Sequence, residues 1–404
     1  MSKNNNYVYI SRNLINLLEN KKRQVKRGNK SFRYHYYYFC STIITQFSTN
    51  KQDENEFVPV SSSILQKVIS RSEYLKIKNN LIEWNVIETS GTWTRKQNCI
   101  GYRLTPMYQQ EIIKVKIQDD LMNVKIDSFR QEKLSSIQKL SFPHQALYEN
   151  LKKLEIHTSD ANTYNFEKYA TNNLKKYNSN SVLIVKLTAS ELFYQVDKFG
   201  HRAHTNLTNI SNDLRKFLHV EKSNLVQTDI TNSQPLFFYL VIRNINQIPE
   251  AEKNLYKELV EKGMFYEFFM GKLDTPANER DKTKTRVLSS IFFDRYRTKE
   301  DKYIRVFKES FPNIFEFINV LKKKDHKLLS QKLQREESNF IFNKVVPGWM
   351  KKYPEKWILT LHDSFVVKED DVQHANNCLL YYFRKMGIEP KIKIKYFIDK
   401  EVEV

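Results

Sequence analysis

Cysteine is scarce in this chain. Cys40, Cys99 and Cys378 are the only three in 404 residues, and they stand far apart. That number and spacing exclude a disulfide framework and a zinc-ligand pattern, and they fit a reducing compartment. Glycine and proline are sparse as well, at 8 and 10, which argues against long disordered linkers. No run of about 18 apolar residues occurs, so no membrane span is expected. The start, Met1 to Asn13, lacks the apolar core of a secretory signal, and a cytoplasmic location is expected. Acid is the minority charge: 46 Asp and Glu stand against 66 Lys and Arg, a formal charge of +20. Such a field recruits polyanions, although a basic protein without a nucleic-acid partner is the alternative. What the chain has in quantity is aromatic, 23 Tyr and 26 Phe, and ring faces among cations suit stacked bases.

The length allows two or three domains. Residues 1–30 read as a basic N-terminal arm, with Lys21-Lys22-Arg23 and Lys26-Arg27. Residues 31–110 read as one small domain. An aromatic helix runs from Tyr34 to Phe47, serines at 61–63 open a second helix, and Leu75, Ile77, Leu81 and Ile82 mark a third. Two strands, Val86 to Thr89 and Gly101 to Leu104, flank a basic tip from Thr92 to Lys96. This layout resembles the winged helix-turn-helix modules of replication initiators and repressors. The resemblance implies a helix for the DNA major groove; use for protein contacts alone is the alternative. Residues 111–198 read as a helical, thumb-like or connecting region. Residues 199–404 carry the chemistry. No internal repeat or low-complexity tract is present.

Two short segments deliver an aspartate each to the end of an apolar strand: Asp229 after Leu225-Val226-Gln227-Thr228, and Asp363 after Trp357-Ile358-Leu359-Thr360-Leu361. Taken alone, Asp229 reads as an Asx turn or helix cap, and Asp363 as a hairpin residue. A tight hairpin prefers Gly or Asn, however, and the tip here is His362-Asp363. An acid between apolar strands is costly without a compensating cation. Two such carboxylates on neighbouring strands make a site for hard divalent cations and two-metal phosphoryl transfer. Between them, Arg280, Lys284, Leu288 and Phe292 follow an i, i+4 helical ridge. The two cations suit a triphosphate and the apolar pair a base and sugar. An ordinary solvated helix with an apolar stripe is the alternative.

In order and spacing the three segments resemble motifs A, B and C of the A-family DNA polymerases and the related single-subunit phage and mitochondrial RNA polymerases. Motif B of that family is R-x-x-x-K-x-x-x-[FM]-x-x-x-Y-G, which appears here as Arg280, Lys284, Leu288 and Phe292, with Phe293 replacing the glycine. Motif C is His362-Asp363, and motif A starts at Asp229. The stretch from Gly200 through Arg202 to Asn206-Leu207 resembles the G-R…N-L segment upstream of motif A. The resemblance covers about the last 200 residues. Motif A departs from the family, reading Asp-Ile-Thr-Asn-Ser-Gln, Phe292 lacks the usual tyrosine hydroxyl, and the intervals are short.

The resemblance implies an α+β fold: a helix-rich right hand with a small antiparallel palm sheet. It implies two Mg²⁺ ions, replaceable by Mn²⁺, held by Asp229, Asp363 and the Ile230 carbonyl. A primer 3′-hydroxyl would attack a nucleoside triphosphate held by Arg280, Lys284, Leu288, Phe292 and Gln234. Lys284 would protonate the leaving pyrophosphate, and Arg202 and His362 would hold the primer end. Gln234 falls where DNA-making relatives carry Glu and RNA-making relatives Gly, which favours deoxynucleotides. The expected protein is a compact DNA polymerase of a phage, plasmid or mobile element, acting on primer-template without proofreading. A single-subunit RNA polymerase or primase, a template-independent nucleotidyltransferase, and a DNA-binding replication initiator with an inactive polymerase-like half are the alternatives.

Overall fold

A computed structural model describes residues 6–27, 30–49, 57–91, 100–109, 112–293 and 301–398. The chain divides into two units, one of residues 1–140, 154–192 and 209–218, the other of 141–153, 193–208 and 219–404. Both are rich in helix and their sheets are antiparallel, so the α+β class expected from the sequence is the class observed.

In the first unit, the segment expected to be a basic arm is part of the core. Tyr7–Ser11 forms a strand paired with Ile112–Lys116. Ser11 caps the helix Arg12–Asn20, its hydroxyl accepting from the Leu14 amide at 3.2 Å. Val8, Tyr9, Ile10, Leu14 and Leu18 are all buried. The cations at 21–27 masked this in the sequence, because they follow the apolar run rather than interrupt it. Next come the helices Arg33–Thr49, Ser62–Gln66 and Arg71–Glu83, with a three-stranded sheet in the order Val58–Pro59, Gly101–Leu104, Ile87–Thr89. Phe39, Tyr74 and Tyr102 join these layers, the two tyrosine hydroxyls 3.0 Å apart. The basic tip expected at Thr92 to Lys96 lies outside the described residues. Beyond residue 111 the expected helices appear as Asp120–Gln138, Thr158–Tyr169 and Leu174–Thr188.

The second unit is built on the strand Ser223–Ile230. On one side it pairs with Ser364–Lys368, which pairs in turn with Ile358–Leu361; on the other it pairs with Ile392–Tyr396. The expected boundary at 198 is not where this unit begins, because the helix Phe142–Leu151 packs on its sheet. Asn150 donates from Nδ2 to the Ile358 carbonyl at 3.0 Å and accepts from the Trp357 indole at 2.8 Å. Within the same unit, His144 lies against Phe342, ring centroids 4.3 Å apart, with Nδ1 2.9 Å from the Tyr194 hydroxyl.

Burial lowers the His144 pKa from 6.5 to about 4. The folded state therefore binds its proton more weakly than the unfolded chain does. The stability this contributes is complete above pH 6.5 and is lost as pH falls from there toward 4. At about 1.4 kcal/mol per pH unit, the His144 contribution is expected to be roughly 2 kcal/mol smaller at pH 5 than at pH 7, read in urea unfolding as the change between those pH values in the stability difference between the parent and His144→Gln.

Several long helices expected from periodicity are broken. The run from Lys253 to Phe269 divides into Glu250–Glu261 and Phe265–Lys272 at Gly263, where φ is +71°. A Cβ there would come within 2.9 Å of Thr231 Cγ2, so the turn needs glycine for its close approach as well as its backbone angle. Lys302 to Lys324 divides before Pro312, which has no amide proton to continue the ladder. The helix Lys327–Phe340 passes through a π turn, Ile341–Val345, into Val346–Lys352, which carries Pro347 in its first turn. The helix expected from Glu279 to Phe293 is α over Arg280–Val287 and π over Leu288–Phe293.

Candidate active site

Asp229 stands directly opposite Ser364 across the strand pair, so Asp363 is its neighbour at the hairpin tip. Opposed residues in such a ladder lie about 5 Å apart. Gln227 lies on the same face and donates to the Ser364 hydroxyl at 2.8 Å. The opposite face, with Val226, Thr228, Ile230, Phe365 and Val367, is closed to solvent. Period-two alternation puts Asp229 on the face of Gln227 and Ser364, away from these apolar side chains, and the hairpin turn carries Asp363 next to Ser364. Ile230 ends the strand with its side chain buried.

The turn residues are unusual. His362 sits at φ +57° and Asn232, which opens the helix Ser233–Ile242, at φ +56°. Both are in the left-handed region, at modest strain for a non-glycine residue. The His362 ring faces His204 edge-on at 6.1 Å.

The two carboxylates are electrostatically coupled. The Asp363 pKa is raised, first by burial and next by the Asp229 carboxylate. A hydrogen bond from Ser233 and the charge of Arg202 offset part of that rise. Asp229 carries a counter-charge of its own, the Lys395 ammonium 2.5 Å from its Oδ2.

Arg202 is held by a residue the sequence reading did not single out. Its Nε and Nη2 each donate at 2.9 Å to the two oxygens of Glu337, whose side chain is 1% exposed. Gln234 donates to Glu337 Oε2 at 2.5 Å, and the Ser233 hydroxyl lies 3.4 Å from the same oxygen. Burial first, and the Asp363 charge second, push the Glu337 pKa to about 8, against the pull of Arg202 and Gln234. The sequence did hold a signal: Leu333, Glu337 and Ile341 share one i, i+4 ridge whose other members are apolar and fully buried, so an acid sits on a buried stripe.

The loop leading to Arg202 is organised by Asp197. Its Oδ1 accepts from the amides of Phe199 and Gly200 at 2.8 and 2.6 Å, and its Oδ2 from the Arg202 amide at 3.1 Å. Burial alone would raise the Asp197 pKa, but these amides and the His204 imidazole outweigh it and the net shift is downward. Gly200 lets this loop seat on the helix Lys327–Phe340. A Cβ there would stand 2.8 Å from Gln334 Cβ, and the Ser338 hydroxyl donates to the Gly200 carbonyl at 2.7 Å.

On the helix Arg280–Val287, Arg280 donates to Glu267 at 2.5 Å and lies over the Tyr266 ring at 5.7 Å. Tyr266 links this helix to the aspartates. Burial raises its pKa above the ordinary value, Arg280 lowers it, and the Asp363 and Glu267 charges raise it further. Lys284 is exposed one turn along, and Leu288 is half-buried beyond it. Phe292 corrects the sequence reading. It is fully buried, with ring centroids 5.2 Å from Phe238 and 6.4 Å from Phe307. The π turn from Leu288 takes it off the straight ridge, and its ring is a core residue rather than a surface for a base. The structure therefore brings Asp229, Asp363, Arg202, Gln234 and Arg280 into one neighbourhood, and it adds Glu337, Lys395, Tyr266 and Ser233.

The donor set fits a divalent cation. Asp229 and Asp363 offer oxygen atoms only, which suits Mg²⁺, and Asp229 already attracts a cation in the form of Lys395. Gln234 Oε1 and both polar atoms of Asn232 are buried nearby in the chain without a protein partner. Among the described residues, no group of three or more His, Cys, Asp or Glu forms a complete metal cage, so water and substrate oxygens would fill the remaining positions.

No family model matches the chain, and no curated protein matches it by sequence. Among solved structures, it is similar to the POL domain of Pol1 from M. smegmatis in complex with DNA primer-template and dNTP. The TM-score is 0.41 and the identity 13%, over 59% of this chain and 55% of that one. The similarity thus spans little more than half of that domain. No helix among the described residues is long and apolar enough to cross a membrane.

Proposed function

We propose that this chain is a compact nucleotidyltransferase that extends the 3′-hydroxyl of a primer on a template strand, favouring deoxynucleoside triphosphates. The observation that carries this reading is the strand register that sets Asp229 opposite Ser364 and beside Asp363, two coupled, half-buried carboxylates at one end of the sheet. Asp229, Asp363 and the Ile230 carbonyl would hold two Mg²⁺ ions. When bound, these supply a lowered pKa for the attacking hydroxyl and charge neutralisation for the leaving pyrophosphate.

The chain's own groups do the rest. Arg280 gives planar contact to phosphate oxygens, and exposed Lys284 gives a point charge and a proton for the pyrophosphate. Leu288 flanks the base; Phe292 has no place in the assignment. Gln234, tethered to Glu337, stands where a ribose 2′-hydroxyl would crowd it. Arg202, fixed by the same carboxylate, and His362 meet the primer end. The helices at 33–49, 62–66 and 71–83 with their three-stranded sheet support a winged-helix reading for template contact. We place it in a phage, plasmid or mobile-element setting, and we expect no proofreading from these residues because the first 200 carry no acidic exonuclease pattern.

The test is extension of a labelled primer with Mg²⁺, offering dNTPs or NTPs and withholding template or primer in turn. Extension is expected with dNTPs on the complete duplex only. Gln234→Gly is expected to raise ribonucleotide use by about tenfold or more. Absence of extension in every combination would overturn the proposal.

A further inference from the structure

The last described strand, Ile392–Tyr396, alternates Ile and Lys and pairs along the free side of Ser223–Ile230. Lys393 stands opposite Asp229 and Lys395 opposite Gln227. Directly opposed residues project to the same face of a sheet, so both lysines share the face of the carboxylates. Among the described residues Lys393 has no ion-pair partner, whereas Lys395 Nζ reaches diagonally to Asp229 Oδ2 at 2.5 Å. That contact places a positive charge on one of the two oxygens that Asp229 offers to a metal ion.

We infer that Lys395 is the resident counter-ion of Asp229, and that a divalent cation must displace it to enter. The inference rests on the proposed metal site. An ammonium and a doubly charged ion compete for one carboxylate, and their mutual repulsion weakens whichever binds second. The amine is half-exposed on a four-carbon stem, so it can swing away without any movement of the strand. Lys395 thereby sets the metal concentration at which the site fills, and it keeps Asp229 neutralised until then.

The experiment titrates Mn²⁺ into the full chain and counts free Mn²⁺ by electron paramagnetic resonance, with no nucleotide or DNA present. Lys395→Met is expected to tighten Mn²⁺ binding by about three- to tenfold, and Lys395→Arg to stay near the parent. Lys393→Met removes the same charge from the same strand face without breaking an ion pair, and it is expected to change affinity by less than Lys395→Met does, about twofold. An unchanged affinity in Lys395→Met, or an equal gain in Lys393→Met, would overturn the inference. Asp229→Ala separates the two levels. Lost Mn²⁺ binding in that variant upholds the site, so an unaltered Lys395→Met then defeats this inference alone. Mn²⁺ binding that survives Asp229→Ala removes the site and the inference together.

Discussion

Asp363→Ala and Asp229→Ala are each expected to lower primer extension by roughly 10³-fold or more, about 4 kcal/mol of transition-state stabilisation. The two losses should not add, because either substitution dismantles the same pair. Protein stability is expected to move the other way at Asp363. The carboxyl there is partly buried, its pKa is raised, and the strongest charge acting on it is the Asp229 carboxylate, so as an anion it destabilises the fold. Asp363→Asn should therefore melt at or above the temperature of the parent while remaining inactive. Single-turnover extension and a thermal melt on the same preparation distinguish this from simple misfolding. Full activity in both variants would dismiss the assignment.

The second large effect is expected at Glu337, which contacts no substrate and acts by positioning Arg202 and Gln234. Glu337→Ala leaves the Arg202 guanidinium, 22% exposed, without its bidentate partner and opens a void in a closed interior. Loss of the acceptor leaves the donors of Arg202 and Gln234 without a partner, at about 1–3 kcal/mol. Glu337→Gln keeps the shape and one acceptor, and it is expected to fold but to raise the KM for primer-template more than it lowers kcat. Combined with Arg202→Ala it should add little, because the arginine has already lost its anchor.

Acidity provides an independent readout of the same residue. The Glu337 pKa rises on folding from 4.5 to about 8, so the folded state holds this proton more tightly than the unfolded chain. Stability from this group is complete below pH 4.5 and is lost as pH climbs toward 8, on the order of 5 kcal/mol across the interval. Glu337→Gln should remove that decline, which denaturant midpoints at pH 5 and pH 8 would reveal.

What the sequence disclosed and what it withheld follow from the range of the forces involved. Asp229 and Asp363 were legible because each ends an apolar strand, and a strand's alternation is local. Their pairing was inferred from the order of the segments, and the register agrees with it. Glu337 was passed over because Arg335-Glu336-Glu337 resembles a solvated helical face, and only the spacing to Leu333 and Ile341 betrays its burial. Lys395 was invisible: a lysine in an alternating edge strand says nothing about a partner 166 residues away. An ideal helix through Phe293 would leave Phe292 on the ridge of Lys284, whereas the π turn from Leu288 comes with its ring packed among Phe238, Phe265 and Phe307. The N-terminal strand was missed because charge density over thirty residues outweighed a four-residue apolar run.

The register that opposes Asp229 to Ser364 joins positions 135 apart in the chain, since 364 − 229 = 135. No contiguous fragment shorter than that holds both acids. Chain entropy must be surrendered before the facing strands gain anything from meeting, so competence is a late property of folding rather than of any stretch of sequence. A single cut in an exposed loop between the strands would leave every reactive atom present, yet silent until the two pieces found each other again.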